Sequence, residues 1–211
     1  MTAPVFEQPM VVLDFETTGL SPQAGDRVTE VAALRIEGGQ VVGSYVSLIN
    51  CGVTIPSFIT GLTGISQAMV DRAPPCSQVL PALLEFIGDD ALVAHNAGFD
   101  EKFLLAESAA LGLRPAYAGP ICSLKLTRRV FPGLASYKLG TLARAFNLPF
   151  QSAAHRAQAD AEVTVQLLHH VGQRIQSHYG IGSIAADLLL SVNRLSAAKV
   201  DGFLQKHARR G

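Results

Sequence analysis

No run in this chain stays apolar for the roughly 18 residues needed to cross a bilayer, so a membrane partner is not expected. The opening stretch, MTAPVFEQP, has neither the basic region nor the apolar core of a secretory signal, and no signal peptide is read there. Cysteine is scarce. Cys51, Cys76 and Cys122 are odd in number, widely scattered and without metal-ligand spacing, so they read as reduced thiols of a cytoplasmic protein. Internal repeats and low-complexity tracts are also missing. With 48% apolar and 16% charged residues, 211 residues suffice for a full core, and one domain with an extension is expected.

Net charge is absent too, at +0, which at first argues against a nucleic-acid partner. The distribution points the other way. Residues 1–107 carry 13 acids against 4 Lys/Arg, whereas residues 108–159 carry 7 Lys/Arg and no acid. Such a contrast sets either an ordinary solvated surface or a phosphate-binding rim beside an acidic site.

The acids that matter most begin in Val11–Leu20, VVLDFETTGL. Successive strand side chains alternate between faces, so Val12, Asp14 and Glu16 share one face and Val11, Leu13 and Phe15 the other. Two like charges side by side are unfavourable unless a cation compensates, and a hard divalent ion held by carboxylates does so. A solvated strand end is the plainer alternative.

Further along, Val28–Ile36 and Val41–Ile49 are β-prone runs joined by Gly38-Gly39, a hairpin signal. Pro56–Ser66 reads as a loop or short helix. Pro75–Ile87 has a helical apolar period. Ala91–Ala94 suits a buried fourth strand and leads into His95-Asn96-Ala97-Gly98-Phe99-Asp100, which puts Asp100 in the first turn of the next helix. Gly119–Cys122 suits a fifth strand. Leu124–Val130 and Leu139–Phe146 read as short helices.

His155 and Asp160 are five positions apart, about 140° around a regular helix. They converge only if His155 lies in the loop before a helix that carries Asp160. Beyond Tyr179, Ile184–Val192 and Leu195–Leu204 read as two further helices. The chain is divided at 1–178 and 179–211 on this basis.

Asp14, Glu16, Asp100 and Asp160 could together surround two divalent ions, the arrangement that activates a water and stabilises a leaving oxygen in phosphodiester cleavage. A loop histidine titrating near neutrality suits the base for that water. A non-catalytic docking module, or a structural Mg²⁺ site in an unrelated α/β protein, are the rival readings.

DFETTGL at 14–20, HNAGFD at 95–100 and HRAQAD at 155–160 resemble, in order, the three exonuclease motifs of the DnaQ-like DEDDh family. That group includes the proofreading subunit of bacterial DNA polymerase III. The resemblance covers roughly residues 8–175. It implies an α/β, RNase H-like fold: a five-stranded mixed sheet flanked by helices with one strand antiparallel, here followed by a C-terminal helical extension. It implies 3′–5′ hydrolysis of single-stranded or frayed DNA ends, with RNA ends as the alternative, and release of 5′-mononucleotides. Asp14, Glu16, Asp100 and Asp160 would hold two Mg²⁺ or Mn²⁺ ions, and His155 would be the general base. Thr17 and Thr18 would hold the terminal nucleotide, Leu62 and Ile65 would pack against the terminal bases, Asn96 would support the metal-site geometry or the phosphate, and Phe99 would support substrate binding. A DNA polymerase subunit is the implied partner. Cys122-Ser123-Leu124 departs from the Asp-Thr of many relatives, which predicts altered local packing rather than lost catalysis. The segment 176–211 lies outside the resemblance and contains no convincing clamp-binding pentapeptide.

Overall fold

The structure is a computed structural model that describes residues 5–149 and 156–209. Five strands form one sheet: β1 (Met10–Thr17), β2 (Val28–Glu37), β3 (Gln40–Leu48), β4 (Ala91–Ala94) and β5 (Ala118–Cys122). Their order is β3-β2-β1-β4-β5. β2 runs antiparallel to both neighbours, while β1, β4 and β5 run parallel. This is the five-stranded mixed sheet with one antiparallel strand that the motifs implied. The Gly38-Gly39 hairpin closes β2 onto β3 with both glycines at positive φ, 56° and 87°.

The helices are α1 (Ser57–Thr63), α2 (Gln67–Val70), α3 (Cys76–Ile87), α4 (Gly98–Ala110), α5 (Ser123–Val130), α6 (Leu139–Ala145), α7 (Ala157–Tyr179), α8 (Ala186–Arg194) and α9 (Ala197–Ala208). They cover both faces of the sheet, and the period-two alternation of β1 explains why. Val11, Leu13 and Phe15 join a core with Leu80 and Leu83 of α3 and Phe103 and Leu104 of α4. Met10 and Val12 join the opposite core, with Leu168 and Val171 of α7 and Leu189 and Val192 of α8. None of the described helices is long and apolar enough to cross a membrane.

The last two helices start later than their apolar pattern predicts. Residue Ile184 is taken up in a bridge to Phe6: its N–H donates to the Val5 carbonyl at 3.0 Å, and its carbonyl accepts from Glu7 at 3.1 Å. α8 therefore begins only at Ala186. The two helices then pack on β5, α5 and α7. The Asn193 side chain accepts the Cys122 N–H at 2.8 Å, which gives the outer strand of the sheet a partner.

Candidate metal centre and the acids around it

Both acids of β1 lie in its second half, near the end of the strand. Opposite them on β2 the register pairs Asp14 with Ala32 and Glu16 with Glu30. The third acid, Asp160, stands in the first turn of α7. One carboxylate oxygen from each of Asp14, Glu16 and Asp160 falls within 4.8 Å of the others. Asp100 is outside that trio of atoms. It sits in the first turn of α4, only 2% exposed, and its Oδ1 accepts the Phe15 N–H at 3.1 Å.

Electrostatically the four acids form one group. Burial, followed by the charges of Asp100, Asp160, Glu16 and Glu30, raises the Asp14 carboxyl well above its ordinary value. Burial and then Asp160, Glu30 and Asp100 push Glu16 up to about 8, against a smaller opposing pull from Arg156. Burial also raises Asp100, partly offset by the N–H of Phe15. Buried carboxylates crowded this closely are unfavourable as anions unless positive charge joins them. The donor set is all oxygen, which matches a hard cation such as Mg²⁺ or Mn²⁺ and not a soft one. The residues present therefore fit a divalent metal site.

Glu30 is the site feature that sequence reading missed. It is 2% exposed, and its carboxylate takes the Arg156 Nε hydrogen at 3.0–3.1 Å and the Ala157 N–H at 3.0 Å. A further Arg156 contact, from Nη2 to Oε1, completes a forked ion pair. An acid from β2 thus caps the N-terminus of α7, where no side chain of the helix's own cap does so. It fixes the turn that carries Asp160.

The residues after the strand are held by a local network. Thr17 Oγ1 donates to the Gly19 carbonyl at 2.6 Å, and Thr18 Oγ1 accepts the Arg27 N–H at 3.0 Å. Asp26 accepts the Ser21 N–H at 2.9 Å. A Cβ at Gly19 would crowd the Asp26 carboxylate and force it to shift from the Ser21 N–H that it accepts. Thr17 and Thr18 are buried, while Leu20 beyond them is 77% exposed.

The other sequence-derived candidates are spread around this centre. Leu62 on α1 is 48% exposed, but Ile65 is fully buried with Cys51, Ile55, Ile59 and Val70. Asn96 is exposed and holds a left-handed backbone at φ 66°. Phe99 is half-buried, 5.2 Å from the Phe103 ring, with Lys102 Nζ 4.8 Å from its centroid. His155 lies outside the described residues. Arg156, the residue after it, has a non-helical backbone and precedes α7.

A family model described as exonuclease matches residues 11–168. The epsilon subunit of DNA polymerase III from Aquifex aeolicus is 36% identical over 172 residues, covering 82% of this chain and 84% of that one. The 3′–5′ exonuclease DinG from Bacillus subtilis is 39% identical over 158 residues, or 75% of this chain. Some relatives are much longer: the chain spans 17% of DinG and 12% of a PolC-type DNA polymerase III from Caldanaerobacter subterraneus. Among solved structures, exonuclease X in complex with 5′ overhanging duplex DNA superposes with a TM-score of 0.67 at 26% identity, covering 87% of this chain and 99% of that one.

Proposed function

Because the chain belongs to the exonuclease family, we propose that it removes nucleotides from the 3′ ends of single-stranded or frayed DNA by metal-dependent hydrolysis. The observation that carries this reading is the trio Asp14, Glu16 and Asp160, with ligand oxygens within 4.8 Å of one another. Asp100 is the fourth acid of the set.

These four carboxylates would hold two Mg²⁺ or Mn²⁺ ions. When bound, such ions supply a more acidic water and stabilise the leaving oxygen of a phosphodiester. The protein's own part is placement and proton movement. Asp100, tied to Phe15, keeps α4 in register with β1. Glu30, through Arg156 and Ala157, keeps Asp160 turned toward the strand. His155 would take the proton of the attacking water on a ring nitrogen, as the DEDDh resemblance implies. Thr17 and Thr18 would seat the terminal nucleotide on a turn already fixed by Asp26. Leu62 offers exposed apolar surface to a terminal base, and Ile65, buried with Ile59 and Val70, would hold the turn after α1. Asn96, in the turn before α4, and Phe99, in its first turn, would border the same approach. Assembly with a DNA polymerase belongs to the same proposal, since the Aquifex aeolicus relative is named as a polymerase subunit.

The test uses 5′-labelled single-stranded DNA and RNA of one sequence, each with Mg²⁺, Mn²⁺ or EDTA. A metal-dependent ladder shortening from the 3′ end is expected, faster on DNA. Equal or faster RNA cleavage would reassign the substrate. Loss of no more than a few-fold in kcat in His155→Ala, against the roughly 10²–10⁴-fold expected of a general base, would remove His155 from the mechanism.

A further inference from the structure

Residues 108–159 hold seven Lys/Arg and no acid. Two of the seven are spoken for inside the fold. Arg156 is held by Glu30, and Arg129 donates to the Leu195 carbonyl from Nε at 2.9 Å and Nη2 at 2.7 Å. Lys125, Arg128 and Lys138 are exposed, and no ion pair engages them among the described residues.

The topology brings the segments that carry these three to the margin of the sheet where the acids stand. β1, β4 and β5 are parallel, so their C-terminal ends meet at one margin of the sheet. Asp14 and Glu16 occupy that end of β1. His95 follows β4 directly, and Ser123 follows β5 directly and opens α5. The His95 ring joins the two and adds a third segment: Nδ1 is 2.9 Å from Ser123 Oγ, and Nε2 is 3.0 Å from the Tyr137 carbonyl. A carbonyl only accepts, so Nε2 carries the hydrogen and Nδ1 accepts from the serine.

Tyr137 is fixed at its other end as well. Its hydroxyl donates to the Phe131 carbonyl at 2.8 Å and accepts the Leu134 N–H at 3.3 Å. The Arg128 guanidinium lies 5.2 Å from the centre of its ring, and Lys138 is the next residue. Helix α5, which carries Lys125 and Arg128, and the loop that carries Lys138 are therefore both tied to His95, which opens the segment, 95–100, that supplies Asp100. A cation fixed over an aromatic ring, flanked by exposed lysines and with no acid nearby in sequence, complements a polyphosphate strand. The acid-rich half of the chain repels the same strand and steers it toward this side.

We propose that Lys125, Arg128 and Lys138 form a phosphate track that grips the substrate strand on the 5′ side of the nucleotide being removed. This rests on the exonuclease reading above. It assigns the three cations to binding a long single strand and gives them no part in the chemistry at the acids.

The experiment compares the protein with its Lys125→Gln/Arg128→Gln/Lys138→Gln variant on a 20-nucleotide strand and on a dinucleotide. A dinucleotide has only the scissile phosphate and nothing for the track to hold. On the long strand KM should rise about 10- to 100-fold near 0.1 M salt, with kcat within about twofold. The slope of log KM against log salt should shrink by about 2, since each single-strand phosphate contact contributes roughly 0.7. Dinucleotide cleavage should be unchanged. An unaltered KM and salt slope on the long strand would overturn the proposal and hand these cations to a protein partner. An equal loss on both substrates would overturn it too. If the unmodified protein cuts neither substrate, the exonuclease reading fails by itself. Fluorescence anisotropy with the 5′-labelled 20-mer in EDTA then decides the track: weaker binding by the variant supports it, and equal binding refutes it.

Discussion

The Oδ1 atom of Asp100 accepts the backbone N–H of Phe15 at 3.1 Å, so the first-turn acid of α4 is fastened to the residue that separates Asp14 from Glu16. Asp100 is thus both a candidate ligand and a structural partner, whereas Asp14 contributes mainly charge to a crowded centre.

That difference separates two variants. Asp14→Asn should abolish cleavage without lowering the melting temperature measured in EDTA, because it removes one of several repelling charges at nearly constant volume. Asp100→Ala should abolish cleavage and also cost about 1–3 kcal/mol, the usual penalty for leaving a buried N–H without its acceptor. Retained turnover in Asp14→Asn would sink the site assignment.

Glu30 supplies a second contrast. Glu30→Gln keeps the shape but weakens the hold on Arg156 and the N-terminus of α7. Because it acts on the helix that carries Asp160, the Mg²⁺ concentration for half-maximal activity should rise about 10- to 100-fold, as for other groups that orient metal ligands. A Mg²⁺ titration of activity checks this. A variant that melts lower but needs no more metal would make Glu30 a purely structural residue.

Acid stability should depend measurably on Glu107. Burial alone would raise its carboxyl, but the hydrogen bonds and charge of Arg27, with the Val28 N–H and the Cys76 thiol, outweigh burial and hold it below the ordinary 4.5. Its Arg27 pair spans 2.8 Å. A carboxyl with a lower pKa in the folded state stabilises most above its unfolded value, and the contribution disappears as pH falls through the folded value. Glu107→Gln should therefore cost roughly 2 kcal/mol at pH 7, in line with hydrogen bonds to charged groups. The penalty should shrink as pH drops below 4.5. Denaturant melts of both proteins between pH 7 and pH 3 make the comparison.

We treat residues 179–211 as an extension that completes the domain. Leu189, Val192 and Leu204 are fully buried in the core that also holds Val12 of β1. Leu189→Ala should cost about 2–5 kcal/mol. A chain ending at 178 should lose cooperative thermal unfolding, and unchanged melting would make the extension an independent unit.

Much of this architecture was legible in the sequence because its signals are local. Alternation in VVLDFE placed Asp14 and Glu16 on one face, and the apolar runs gave five strands in their correct places. Short-range helix signals put Asp100 in a first turn and Asp160 on a helix, where the structure has it in the first turn of α7. Glu30 was not legible, since an acid inside a β-prone run reads as solvent-facing. Its burial depends on the β1–β2 register and on Arg156, 126 residues away. Ile65 shows the same limit: its place inside a small cluster is set by Cys51 and Val70, on either side of it in sequence. The late start of α8 arises from a bridge between Ile184 and the opposite end of the chain.

The order of the strands also sets when the four acids can come together. β1, β2 and β3 are a meander of sequence neighbours, and such pairings close early because their loops are short. Asp14 and Glu16 arrive with them. Asp100 joins only once β4 has paired across the interval to β1, and Asp160 only when α7 settles against the finished sheet. A chain still emerging from the ribosome at residue 159 has most of its sheet and three of the four acids, and no means of completing the set. Asp14 and Glu16 thus share a strand from the start, while the full set of four mutually repelling carboxylates comes together only when α7 docks.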